Sequence, residues 1–548
     1  MRIRELWIDS FKNLRDFHIR FGDHLTTVLI GQNGTGKSNL LEALAIIFRD
    51  LDLETKNRGT MPFAYDMTYE CRGHEIEVDG GAQAVRARNP AQLPLLEQIG
   101  KGREQSARLR VKVNGRAITK SAFFRNKQQY LPKHVFGYYS GPTNRLAQHF
   151  DEHQKRFYDE QRRGQVRPLR PLFFALPVHS QFVLLAYYAF PDQSGEAFLR
   201  DYLGIGDFDS TIFVIREPDW KRPDSSEDPF WGATGIPREF LNTLFESAMA
   251  PSRSRETVTV ATGKSVREQH LYLPIVGADT LRKVAQSRGS NREFFKDLDT
   301  LYISRLIHQV IVKVRRIESG ELISFPELSE GEQQLLTVLG LLKFTSDTES
   351  LFLLDEPDTH LNPAWKLEYL SLIEPIVGDD TQCQVIMATH DPIVIGSCRK
   401  EQVRILAFDE GKHSDRIRWY EPDEDPRGMG VAALLTSDVF GLRTSLDVLT
   451  QEKLDRKRTL AAKQPDELTH IEREELQKLN RELEGLGFTY SFRDPLYQQF
   501  AKVMTRELLT CPELMQPVLT KEQKERRDEI AREIIASLRN TTASEDGS

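Results

Sequence analysis

Cysteine is scarce: Cys71, Cys383, Cys398 and Cys511 are the 4 in 548 residues, and no two form a CxxC pair. That excludes a disulfide framework or a cysteine zinc cluster as the organising device. Long apolar runs are missing as well, since no stretch approaches the roughly 18–20 apolar residues a membrane-spanning helix needs. Basic charge is not in excess. Lys and Arg number 74 against 81 Asp and Glu, a net charge of -7, which excludes a uniformly basic nucleic-acid coat but not a local basic stripe. No heptad pattern persists over several turns, so a long coiled coil is excluded, and no internal repeat is found. The N-terminus runs straight into a strand-like pattern; a signal peptide is not expected, and the chain reads as cytoplasmic with no membrane partner.

What is present is ordinary globular text, 39% hydrophobic and 28% charged, long enough for two or three domains. Residues 2–8 and 17–30 have β-type patterning, and the second run ends in a Gly-rich loop followed by a helical pattern through Leu40, Leu41, Leu44, Ile47 and Phe48. Further β-rich text at 108–113 and 134–139 suits an antiparallel side sheet. The next segment, 156–325, reads as a mostly helical insertion with helical patterns near 237–250 and 291–314. Two short buried strands, 351–354 and 385–388, then bracket an amphipathic helix between Pro363 and Ile376. Beyond 430 strand character fades. Pro465 is expected to turn the chain before an amphipathic helix over 467–486, and the polar end of the tail is expected to be disordered.

Residues 31–38 spell GQNGTGKS, a complete GxxxxGKS loop between a strand and a helix. Glycines allow successive backbone N–H groups to surround phosphates, and the helix N-terminus adds partial positive charge at the same place. Asn33, Gly34, Gly36, Lys37 and Ser38 are the candidate ATP contacts, with Lys37 on the phosphates and Ser38 on Mg2+. The run 351–356, LFLLDE, puts two carboxylates at the end of a buried strand. Asp355 would hold Mg2+, and Glu356 would orient or deprotonate the attacking water.

Other segments carry a resemblance. Residues 328–334, LSEGEQQ, resemble the signature of ABC-type ATPases, and the glutamates at 330 and 332 are typical of their RecF/SMC-like branch. Asp358 resembles the D-loop aspartate, and His390 resembles the switch histidine that reads the γ-phosphate. Residues 3–13, ending in Phe-Lys-Asn, resemble the opening of RecF- and SMC-like ATPases, with Lys12 and Asn13 as candidate nucleotide contacts. The family's Q-loop glutamine has two candidates, Gln148 and Gln181. The implied fold class is α/β. It is an ABC-ATPase head, a mixed sheet with flanking helices, split into 1–155 and 326–425 by the insertion 156–325. A helical C-terminal region, 426–548, follows. The same resemblance implies a homodimer, or a higher oligomer, in which Ser329 and Gly331 of one protomer cap ATP held by the other.

The segments 171–190, 349–363 and 427–447 look similar to the ATPase subunit of bacterial Septu-type anti-phage defence systems, including retron-associated versions. That likeness implies an HNH nuclease partner, a retron reverse transcriptase with its msDNA in the retron-associated case, and action on nucleic acid. An OLD-type or RecF-like DNA-processing ATPase without a separate nuclease is the alternative. An OLD-type enzyme would need a metal-binding nuclease domain, for which 409–411 and 423–425 supply acidic residues but no further βα alternation. A hairpin followed by an acidic loop is the plainer reading there. The basic runs 155–170 and 312–316 are candidate DNA contacts, and the helices over 445–486 a candidate partner surface.

Overall fold

The computed structural model describes the chain except residues 54–61, 83–108, 163–170, 219, 221–227, 260–264, 346–348, 378–382, 410–415, 465–466, 487, 489–494, 516–518 and 546–548. The described residues fall into two units, one running to the edge strand Ile417–Tyr420 and the other beginning at Pro422.

The first unit is built around a seven-stranded sheet. Its order is Ile417–Tyr420, Val403–Phe408, Thr26–Gly31, Gln384–Ala388, Ser350–Asp355, His134–Tyr139 and Leu172–Phe174. Every pairing is parallel except that of the edge strand Ile417–Tyr420, which closes an antiparallel hairpin with Val403–Phe408. All six residues of Ser350–Asp355 and all five of Gln384–Ala388 are buried, as continuous apolar runs in a sheet covered on both faces should be. Strand His134–Tyr139, expected in the side sheet, lies here instead, paired with Ser350–Asp355. Its first four residues are buried without alternation, the mark of a central strand.

A six-stranded antiparallel sheet carries Leu14–Arg20, Arg2–Phe11, Tyr65–Cys71, His74–Asp79, Arg110–Val113 and Arg116–Ile118 in that order. Between the two sheets runs helix Lys37–Leu53. Leu40, Leu41, Leu44, Ile47 and Phe48 share one core with Leu6, Phe17 and Ile76 of the antiparallel sheet and Leu29, Leu351 and Ile386 of the parallel one. Each fully buried aliphatic or aromatic side chain there contributes about 1.5–3 kcal/mol. The helix that follows the Gly-rich loop is thereby held on both sides. This is the α/β head with a mixed set of strands and flanking helices.

The insertion, expected to be mostly helical, is mixed. Helices Pro177–Ala189, Gly235–Ser247 and Asn291–Ile303 accompany a five-stranded antiparallel sheet. Its order is Ser252–Thr259, Ser265–Val276, Ile205–Arg216, Ile307–Arg316 and Leu322–Ser324. The helical reading of 291–314 is corrected after Ile303. Arg305 takes a left-handed φ of 58°, which breaks the helix, and the β-branched run from Ile307 becomes a strand.

The second unit contains helices Val448–Ala461 and His470–Gly485, bridged by Arg456–Glu475 at 2.6 Å and Lys453–Glu482 at 2.8 Å. Thr469 and Glu472 cap the second of these helices reciprocally. Pro465 lies outside the described residues. The last helix, Lys521–Glu545, extends into the polar tail, whose final three residues, 546–548, are also outside them. No described helix is long and apolar enough to cross a membrane.

Candidate functional site

Strands Thr26–Gly31, Gln384–Ala388 and Ser350–Asp355 end on one level, because Ala388 is the register partner of both Leu29 and Asp355. Whatever follows each strand emerges at the same edge, where ligands of parallel α/β sheets collect. The Gly-rich loop follows the first strand, Thr389 and His390 the second, and Glu356 the third.

The loop is folded tightly. Gly31 has φ 143°, and a Cβ there would stand 2.2 Å from the Leu406 carbonyl oxygen, so no larger residue fits without displacing backbone. The Thr35 hydroxyl donates to the Gln32 carbonyl at 2.8 Å. Asn13 Nδ2 donates to the Gly34 carbonyl, and Asn13 Oδ1 accepts from Asn39 Nδ2 at 2.6 Å. Asn13 thus braces the loop from the neighbouring sheet, while Lys12 pairs with Glu42. Gln32, Asn33 and Gly34 form the exposed tip, whereas Thr35, Gly36 and Lys37 are buried. The Lys37 ammonium bends back over the loop and donates to the carbonyls of Gly31 at 2.7 Å and Gln32 at 3.2 Å. Burial lowers its pKa, opposed by the negative charges of Glu356 and Asp355.

Ser38 Oγ donates to Asp355 Oδ1 at 2.9 Å. The other oxygen, Oδ2, lies 3.6 Å from Arg145 Nη2, too far for a hydrogen bond, and both atoms are buried without a hydrogen-bond partner. Burial is the main reason that the Asp355 carboxyl is pushed up to about 6; Ser38 and Arg145 pull it down, and Glu356 raises it. A hard dication is implied by the ATPase resemblance, and these residues fit one. A serine hydroxyl and a carboxylate with an orphaned oxygen are the oxygen donors Mg2+ takes.

Glu356 has φ 53°, a left-handed conformation that costs a non-glycine residue roughly 1–3 kcal/mol. Its N–H donates to the Ala388 carbonyl at 2.8 Å. The turn carries its carboxylate out of the strand line to His390, with Oε1 3.3 Å from Nδ1. His390 is 61% exposed and Glu356 35% exposed, so both are open to solvent. Asp358 is placed differently. It is 2% exposed and accepts from the Thr389 hydroxyl at 2.8 Å, and burial pushes its carboxyl up to about 6. Within this chain it ties the loop after Glu356 to the segment that carries His390.

Ser329 is the exposed N-cap of helix Glu330–Thr345. Its Oγ accepts from the Glu332 N–H at 3.2 Å, and Glu332 Oε2 accepts from the Ser329 N–H at 2.6 Å. This S-x-x-E capping box gives Glu332 a local purpose, reinforced by Arg316 at 2.8 Å. A Cβ on Gly331 would meet the His360 carbonyl oxygen at 2.6 Å, and Gln334 Oε1 accepts from the His360 N–H at 3.0 Å. The helix start is therefore strapped to the loop after Glu356. Among the described residues, Ser329 and Gly331 make no hydrogen bond to the Gly-rich loop.

The structure brings Lys37, Ser38, Asp355, Glu356 and His390 together. It also adds Arg145, which the sequence reading missed. The available signal was an arginine in the turn after an unbroken apolar strand. Neither glutamine candidate takes that place: Gln148 donates to the Arg145 carbonyl at 2.8 Å, and Gln181 sits on helix Pro177–Ala189.

A family model described as "AAA domain, putative AbiEii toxin, Type IV TA system" matches residues 26–396. The chain belongs to this ATPase family. It is 27% identical over 165 residues to the "Retron Vc95 probable ATPase" of Vibrio cholerae, covering 28% of this chain and 30% of that one. It is 25% identical over 257 residues to the "Septu protein PtuA" of Bacillus mycoides, covering 43% of this chain and 35% of that protein. The chain thus spans about a third of the length of these two curated relatives. Among solved structures, the SMC head domain of Thermotoga maritima aligns at 13% identity and a TM-score of 0.31, covering 77% of this chain and 99% of that one.

Proposed function

We propose that the chain is the ATPase subunit of an anti-phage defence complex, binding and hydrolysing Mg2+-ATP at the carboxyl edge of its parallel sheet. The observation that carries the reading is the convergence of Lys37, Ser38, Asp355, Glu356 and His390 on that edge from three adjacent strands. Lys37 and the backbone of 33–36 bind the phosphates of ATP. Ser38 and Asp355 hold Mg2+, which when bound screens charge on the transferred phosphoryl group. Glu356 takes the proton of the attacking water, and His390, beside it, senses the γ-phosphate. Arg145 is a cation beside Asp355 before the nucleotide arrives.

Ser329 is exposed at a helix N-terminus, with Gly331 buried two residues on, and this helix start is suited to an anion that approaches from outside the chain. We infer that this anion is the ATP of a second copy, so that two chains enclose two nucleotides in an isologous pair. The buried Asp358 then acts by positioning the loop that faces the partner. ATP favours the closed pair and hydrolysis releases it, so the output is mechanical or regulatory. The cytoplasm is the compartment this reading requires. The names of the retron and Septu relatives support a defence role, and the Septu resemblance supplies the expected partner, an HNH nuclease.

Co-expression with the neighbouring genes and pull-down in the presence of ATP tests this. A stoichiometric HNH-type protein is the expected result. Recovery of the chain alone as a dimer that cleaves or binds DNA ends would transfer the reading to an OLD- or RecF-like enzyme. The described residues beyond Ile417–Tyr420 contain helices and no strand, so they supply no sheet for the nuclease domain of an OLD-type enzyme.

A further inference from the structure

The insertion's antiparallel sheet carries a cluster that the ATPase reading does not use. Along strand Ser265–Val276, Glu268, His270 and Tyr272 alternate onto one face. The neighbouring strand sets Glu256 directly opposite Glu268. From two strands away on the other side comes His308, whose ring centroid is 4.6 Å from that of His270. One ligand atom from each of Glu268, His270 and His308 lies within 4.8 Å of the other two.

Three features make this more than a polar patch. His270 is 1% exposed, yet its Nε2 has no hydrogen-bond partner, and neither has Glu268 Oε2 at 3.5 Å from it. Buried polar atoms left unbonded are costly, so their shared orientation calls for a group between them. Next, opposed glutamates repel across a strand pair unless a cation lies close. Glu256 Oε1 accepts from the Tyr272 hydroxyl, and its Oε2 stands 3.9 Å from Nδ1 of His270. At that distance Glu256 makes no hydrogen bond to the ring but places a negative charge behind it, on the side where metal-bound imidazoles carry a carboxylate. Finally, Arg216, opposite His270, directs Nε to the Arg305 carbonyl at 3.1 Å. Burial, the neighbouring His270 and the positive charge of Arg216 disfavour a protonated His308, leaving that imidazole neutral as a metal ligand must be.

We propose that Glu268, His270 and His308 form a binding site for a divalent first-row transition metal, with Zn2+ the best match to two imidazoles and one carboxylate. Glu256 supports His270 from behind. The ion ties Ser265–Val276 to Ile307–Arg316 across the intervening Ile205–Arg216, stapling the sheet of the insertion. It is separate from the Mg2+ of the ATPase site in residues and in donor type.

The test uses the full chain, stripped with chelator and kept in excess Mg2+ so that the ATPase site does not report. Zn2+ is titrated by calorimetry, and Co2+ is followed by its visible absorption. Wild type is expected to take up about one Zn2+ per chain with a rise in Tm. His308→Ala, at an exposed position, and Glu268→Gln are expected to lose that uptake and the Tm shift while still folding, as read by circular dichroism. Absence of Zn2+ uptake by wild type would overturn the proposal. So would uptake unchanged in both variants.

Discussion

Two sheets of the same chain place chemistry-bearing side chains together by different means. At the edge of the parallel sheet, the residues come from the turns after three strands, and backbone shape does the placing. Gly31 packs against the Leu406 carbonyl, and Glu356 is held left-handed. On the antiparallel sheet of the insertion, alternation along a regular strand places Glu268 and His270, while His308 sits at a register shift between the pairs Val214–Gln309 and Ile215–Ile307. The first arrangement is strained and intolerant of backbone change. The second relies on strand alternation and one register shift, and is sensitive chiefly to what its side chains can bond.

Substitutions distinguish the two. The largest effect is expected for Gly31→Ala, where a Cβ collides with backbone: a loss above about 3 kcal/mol in denaturant unfolding, and no ATP binding. Lys37→Ala should leave the fold intact and weaken ATP by roughly a hundredfold, measured with a fluorescent nucleotide. Asp355→Asn is expected to abolish Mg2+-dependent turnover yet raise nucleotide-free stability at pH 7 by roughly 1–3 kcal/mol.

The sign of that last effect follows from Asp355 titrating at about 6 in the folded chain, above the ordinary value of 3.8. Between those values the native state keeps a proton that the unfolded chain gives up. Its stabilising contribution is full below about pH 4 and is lost as pH rises through about 6. A pH series of unfolding should show wild type losing stability over that window more steeply than Asp355→Asn. The smallest effect is expected in the insertion. Ser290 caps helix Asn291–Ile303 through its bond to the Glu293 N–H at 3.2 Å. Ser290→Ala should cost about 1 kcal/mol and leave ATP turnover unchanged.

The same contrast explains what could be read from the amino acids. The Gly-rich loop, the apolar run into Asp355 and Glu356, and the strand before His390 stand out because a parallel sheet needs continuous apolar strands and its turns carry local composition. Strand His134–Tyr139 was visible as a strand but assigned to the wrong sheet, since a short apolar run does not name its neighbours. The local signal for Arg145, an arginine after a short strand, is weak for that reason: its meaning depends on pairing between His134–Tyr139 and Ser350–Asp355 across more than 200 residues. The insertion was legible only in its helices. Strand Ser265–Val276 carries Arg, Glu, Gln and His, and strand Ile205–Arg216 opens with polar text. Their burial is set by long-range pairing that no local period announces. The signature segment carried two meanings at once, as Ser329 and Glu332 form a helix cap whatever else Ser329 meets.

The most direct test of the account is a comparison of ATP binding and hydrolysis for wild type and Glu356→Gln under the same Mg2+ concentration. The account expects the variant to bind ATP as tightly as wild type, to accumulate as a nucleotide-bound pair in sizing experiments, and to hydrolyse about 10²–10⁴-fold more slowly. Hydrolysis at the wild-type rate would contradict it, because the carboxylate held beside His390 would then have no part in activating the water.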